Sequence, residues 1–178
     1  MGFQENNVKY LATLLLSLAL AAPTVVNAQA ASVSERDARF LQAAANSGLF
    51  EMQASQLAIQ AASQERIKEF ARMMLVEHEK IDGDLKSLAM MRNIELPIDL
   101  EGDRQDTLDA LQQDTGAGFD KRYVEQVAVE AHKQAVTLFT EASEKSEDDE
   151  IKAFAGKALK TLQQHLQHAQ NLAEAAFR

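Results

Sequence analysis

The chain contains no cysteine and no tryptophan, and it has only two prolines. Without thiols it can build neither a disulfide scaffold nor a thiolate metal cluster, which excludes zinc ribbons and cysteine nucleophiles. Seven glycines and 6% aromatic residues leave little material for tight turns or aromatic platforms. Basic residues are in deficit as well: 18 Lys and Arg stand against 27 Asp and Glu, a formal net charge of -9. Such a field repels phosphate and leaves no basic footprint, so nucleic acid is not an expected partner. The Gly116-Ala117-Gly118 piece is too short, and lacks the lysine, for a phosphate-cradling loop. No serine falls in a strand-turn-helix elbow, so nucleophilic catalysis has no support.

What the chain does have is 46% hydrophobic and 25% charged residues over 178 positions, the balance of one soluble globular domain. Its most apolar stretch, Tyr10 to Ala22, is too short to span a bilayer as a helix but suits a secretory signal. Lys9 precedes it, and small residues offer cleavage after Ala28, or alternatively after Ala30. Residues 1–28 are therefore expected to be a signal peptide, with retention as an uncleaved anchor the alternative. Loss of this segment removes Glu5 and Lys9 and leaves the net charge as it was. The expected destination is a bacterial periplasm, where a protein without disulfides must rely on a well-buried core.

From Ser34 to the C-terminus the apolar residues recur at helical spacing, with no strand-like alternation. Four long helices account for this pattern. Phe40, Ala44, Ser47, Ala54, Ala58 and Ala61 share the stripe of the first, from about Ser34 to Ala62, and Glu51 falls among them. Ser63 is expected to cap the second, whose stripe of Ile67, Ala71, Met74, Ile81, Leu85 and Leu88 includes His78. The third is expected to begin near Phe119, after the Gly116 and Gly118 breakers, and carries His132 among Ala128, Ala135, Phe139 and Ala142. The fourth opens on Asp148, Asp149 and Glu150, acids well placed at a helix N-terminus. Its heptad stripe places His165 between Leu162 and Ala169. Four such stripes bury one another most simply as an all-α four-helix bundle spanning residues 34–178. The connection from Asn93 to Gly118 is far longer than a bundle turn needs; it either crosses the length of the bundle or folds back as a lid.

Three of the four histidines thus replace an apolar stripe residue, each on a different helix, and the remaining helix supplies Glu51. A rise of about 1.5 Å per residue puts Glu51 roughly 18 Å and His78 roughly 22 Å from their shared turn. His132 and His165 lie roughly 22 Å and 27 Å from theirs. Side chains lean toward the N-terminus of their helix, which narrows both gaps. All four groups therefore fall near mid-bundle. Three neutral imidazoles and a carboxylate would suit zinc, copper, iron or manganese. The same four groups could instead satisfy one another as a polar layer that fixes helix register. No histidine has a glutamate three residues before it, so a carboxylate-rich di-iron centre is not expected. Met52, Met73, Met74, Met90 and Met91 are read as core filler, with Met74, one turn from His78, the most plausible soft ligand. His168 lies on a polar row and is expected to be exposed. Glu77 and Glu79 are expected to point away from the layer, and the acidic run from Glu144 to Glu150 to form a solvated turn.

The order Phe70-Ala71-Arg72-Met73-Met74 leading to Glu77-His78, then Phe119-Asp120-Lys121-Arg122-Tyr123 leading to His132, then Phe154-Ala155 leading to Gln164-His165-Leu166, resembles the bacterial family catalogued as domain of unknown function 4142. The likeness runs from about Asp37 to Ala173. It implies a ferritin-like four-helix fold and an envelope location, since members are often called outer membrane proteins, but no activity. No segment after residue 30 has the alternation of a barrel or the length of a spanning helix. Two functions follow as expectations. One is a periplasmic ferritin-like bundle binding one transition-metal ion, or a small polar ligand, at Glu51, His78, His132 and His165. The other is an envelope stress-response or interaction protein, with a helical face for a protein partner and a purely structural histidine layer. A metal-dependent redox enzyme using the same residues is a third and weaker possibility.

Overall fold

The computed structural model describes residues 1–2 and 33–178. The expected signal peptide lies, apart from its first two residues, outside that range. Helix α1 spans Glu35–Ala61 and α2 spans Glu65–Met91. A short α3, Asp103–Gln113, interrupts the long connection. The third rod is built of α4 (Gly116–Arg122), a π-helical segment (Tyr123–Ala131) and α5 (His132–Lys145), and α6 spans Asp149–Ala176. Among the described residues there is no strand, and no helix is long and apolar enough to cross a membrane.

Local chemistry sets most of these boundaries. The Ser34 side chain accepts the Asp37 N–H at the start of α1, and Asp148 accepts the Glu150 and Ile151 N–H groups at the start of α6. Asn93 ends α2 in the left-handed region, at φ 54, and Ile94 N–H returns to the Ala89 carbonyl at 2.9 Å. Ser63 does not cap α2. Gln64 holds the capping position without a side-chain bond, and the Ser63 hydroxyl donates instead to Asp120 Oδ2 at 2.5 Å. Asp120 is fully buried and also accepts the Ser63 N–H at 2.8 Å, so the third rod clamps the α1–α2 turn. The second hairpin turn is held the same way. Buried Asp37 of α1 accepts the N–H groups of Glu147 and Asp148 at 3.1 and 3.0 Å. Most of the acidic run is solvated as expected, but Asp148 is also gripped by both ends of the Arg92 guanidinium, at 2.6 and 3.1 Å.

Two apolar clusters fill the bundle. One joins Phe50 and Ala54 of α1 with Ile67 to Met74 of α2, Phe119 to Ala131 of the third rod, and Ala169 of α6. The other joins Phe40 to Ala45, Leu85 to Ala89, Ala135 to Ala142 and Ile151 to Leu162. Helix α2 ends at the second cluster, whereas the third rod starts at the first, so the connection crosses the length of the bundle and the lid alternative is excluded. Rods two and three consequently run parallel, the single-crossover arrangement of ferritin-like bundles. The crossover lies on α1: Gln42 and Asn46 donate to the Glu95 and Asp99 carbonyls, and α3 packs Leu108 and Leu111 into the first cluster. Helix α4 starts at Gly116, at φ 56, three residues ahead of the expected start, and takes Gly118 into its first turn.

Candidate metal centre

Where the two apolar clusters meet, a polar layer crosses the bundle, and each rod gives it one ionisable residue. Glu51 comes from α1, His78 from α2, His132 from the first turn of α5 and His165 from α6; none is more than 4% exposed. The three imidazole centroids form a nearly equilateral triangle with sides of 5.3, 5.5 and 5.6 Å. One nitrogen of each ring lies within 4.8 Å of the others, a spacing that could hold one ion. Glu51 Oε2 stands 3.1 Å from His78 Nε2 and 3.2 Å from His132 Nε2.

The surrounding contacts fix the orientation of these groups. Ser47, one turn before Glu51, donates its hydroxyl to Glu51 Oε1 at 3.0 Å and leaves Oε2 turned to the histidines. His132 Nδ1 lies 3.3 Å from the Val127 carbonyl, five residues back across the π segment. That bond favours a proton on Nδ1 and a lone pair on Nε2. His165 Nε2 bonds Glu77 Oε2 at 2.7 Å, which leaves Nδ1 as its free nitrogen. Glu51 Oε2, His78 Nε2, His132 Nε2 and His165 Nδ1 are all buried without a hydrogen-bond partner. The two Glu51 contacts have ion-pair distances, but neither has the direction of an N–H···O bond. Four orphaned polar atoms in one dry layer carry a penalty of a few kcal/mol unless something joins them.

The electrostatics point the same way. Burial drives the His78 pKa down from 6.5 to about 4 despite Glu51, and burial also lowers that of His165 against the Glu77 bond. Burial raises the Glu51 pKa, but His132, His78 and the Ser47 hydroxyl outweigh it and hold the carboxyl below its ordinary value. These directions compete. The carboxylate favours positive charge beside it, whereas burial disfavours a proton on His78, a conflict that a bound cation would resolve. Arg104 of α3, its guanidinium 5.6 Å from the Phe50 ring centroid, adds a weaker attraction to Glu51 from the crossover side.

The expected four residues are thus brought together, and the expected outward direction of Glu77 is corrected. It lies one residue before His78, but its flexible side chain crosses to the adjacent α6 and bonds His165. Helical spacing marks the row where a side chain begins, not where a long one ends. The π segment was also missed, although a signal was present. Phe119, Tyr123, Val127, Ala131, Ala135 and Phe139 are all buried and recur in unbroken steps of four. Each such step overruns an α turn by about 40°, and the wider π turn takes up the excess. As expected, His168 is exposed. Met74 is buried in the first cluster and Met90 and Met91 are exposed.

The fold and site define a single-crossover helical bundle with a buried His/Glu layer across its middle. The chain belongs to the family described as domain of unknown function (DUF4142), whose model matches residues 22–172. No curated protein matches it. A solved structure described as CopM in the Cu(I)-bound form has a similar fold, with a TM-score of 0.66 and 15% sequence identity. The likeness covers 80% of this chain and 98% of that one.

Proposed function

We propose that this is an exported periplasmic bundle that binds one transition-metal ion through Glu51, His78, His132 and His165. One observation carries the reading: four unprotected or orphaned ligand atoms, each from a different rod, converge in a layer that water does not reach. Three imidazoles and one carboxylate suit copper or zinc better than the oxygen-rich centres of iron and manganese. Copper is the first ion to test, since the structural neighbour is a Cu(I)-bound form. An imidazole held neutral at ordinary pH is competent to ligate, and the Glu77–His165 and Val127–His132 bonds supply the orientation that metal-bound histidines require. The binding role needs no catalytic step.

The test is elemental analysis of untagged protein isolated from the periplasm. Stoichiometric metal, lost in His78→Ala and His132→Ala, is the expected result. Metal-free protein that stays folded and refuses copper and zinc would sink the proposal. The ion-pair distances from Glu51 to His78 and His132 favour a second reading in that case, a shared-proton layer that sets helix register in an envelope interaction protein.

A further inference from the structure

Glu51, His78, His132 and His165 are sealed from solvent, so an ion bound there must have a way in. Two grooves flank the layer. The first, about 440 Å³, lies among α1, α3 and the third rod and is lined by Phe50, Glu101, Asp103, Arg104, Glu130 and Gln134. Its three acids outnumber Arg104, so its field draws cations, but none of its side chains is hydrogen-bonded to a residue of the layer, and the charge nearest Glu51 is the Arg104 guanidinium. The other, about 260 Å³, lies between α2 and α6 and is lined by Glu77, Lys80, Asp84, Phe154, Lys157 and Thr161. Lys157 is neutralised there by Asp84 at 2.8 Å. The four charges of this groove cancel, so it attracts cations through one ligand and not through a field.

That ligand is Glu77. Its side chain is 38% exposed, yet its Oε2 lies 2.7 Å from the Nε2 of buried His165. Glu77 therefore touches both the open groove and the sealed layer, and the inward Nδ1 of the same imidazole has no partner. We infer that the α2–α6 groove is the entry path for the ion and that Glu77 receives it there and passes it to His165. This rests on the metal-binding reading above. When Glu77 turns outward to take the ion, it releases the His165 ring, which can swing and open the passage. When Glu77 returns, Nε2–H donates to its carboxylate, and Nδ1 is presented to the ion. In this scheme Glu77 is a positioning residue, not a ligand of the final site.

The test follows anaerobic transfer of cuprous ion from a chromogenic chelator to the full chain by stopped flow, and its return to excess chelator. Glu77→Gln and Thr161→Phe, the latter placed one turn from His165 to plug the groove, are expected to slow loading by about tenfold, with final stoichiometry unchanged in Thr161→Phe. Gln134→Phe, in the opposite groove, is expected to load at the wild-type rate. Wild-type loading kinetics in Glu77→Gln and Thr161→Phe, or equal slowing in Gln134→Phe, would overturn the inference and leave the metal site standing. A wild-type chain that takes up no ion removes both. Glu77 sits at the surface, so Glu77→Gln keeps the test decisive should Thr161→Phe fail to fold.

Discussion

The two halves of the bundle deliver their polar groups by different means. In the first hairpin, Glu51 and His78 stand on two uninterrupted helices of 27 residues each, and ordinary α periodicity brings them level. In the second, α6 is equally regular, but His132 follows a nine-residue π segment that widens the helix just before the ligand. The π segment also places the Val127 carbonyl against the His132 ring. A regular helix offers one residue per turn to the core. A π segment keeps a longer run of every-fourth residues on the core face and orients the side chain that follows. The first hairpin thus supplies fixed geometry, and the second adjusts to it.

Removing one residue from the π segment should break that comparison most sharply. Deletion of exposed Glu125 takes one residue, about 100° of α rotation, out of the rod, so the π turn and the core positions around it cannot both be kept. Several core side chains then leave the cluster, and urea unfolding should show a loss of about 4 kcal/mol or more. An equally stable deletion variant would show that the π turn has no structural role.

Acid should act next, on the His78 side. Folded His78 holds its proton more weakly than the unfolded chain does, with a pKa of about 4 against 6.5. The unfolded state therefore gains protons first as pH falls. Stability of the metal-free protein is full above about pH 6.5 and declines toward pH 4, by on the order of 3 kcal/mol for this group. The depressed Glu51 pKa acts in the same direction, because its contribution is present above 4.5 and is lost as pH falls through the folded value. Denaturant titrations at pH 7 and pH 5 would show this, and His78→Leu should flatten the slope between them. A rise in stability toward pH 5 would mean that the layer is held by a protonated pair.

The turns allow a more even comparison, since each hairpin is clamped by a buried aspartate from the other half. Asp120→Ala strands the Ser63 N–H, and Asp37→Ala strands those of Glu147 and Asp148. Each substitution should cost about 2 kcal/mol. A cost confined to one of them would mean that only that turn depends on its clamp. The smallest change is Tyr123→Phe, which removes the buried 3.1 Å hydrogen bond between Tyr123 and Ser55 at the head of the π segment. It should cost about 1 kcal/mol, read as a small shift in the urea midpoint.

Most of the bundle was legible in the residue pattern because helices amphipathic on one stripe have few ways to bury it. Ser34, Asn93 and Asp148 announced their helix ends through local chemistry that needs no tertiary partner. Glu51, His78, His132 and His165 were legible for a related reason: a polar residue in an apolar stripe is conspicuous, and its distance from the turn sets its height. Ser63 misled because its hydroxyl had a choice between its own helix and Asp120, 57 residues away, and the closing of the turn settled it.

The sequence alone determined an all-helical chain, the four stripes, and the level at which three imidazoles and a carboxylate interrupt them. These follow from spacing along one helix at a time. Tertiary structure decided that the connection crosses the bundle, that Asp37 and Asp120 clamp the opposite turns, and that Glu77 reaches His165. Each depends on where a second helix lies, because a side chain's partner is set by distance through space, and periodicity records only its direction from its own axis.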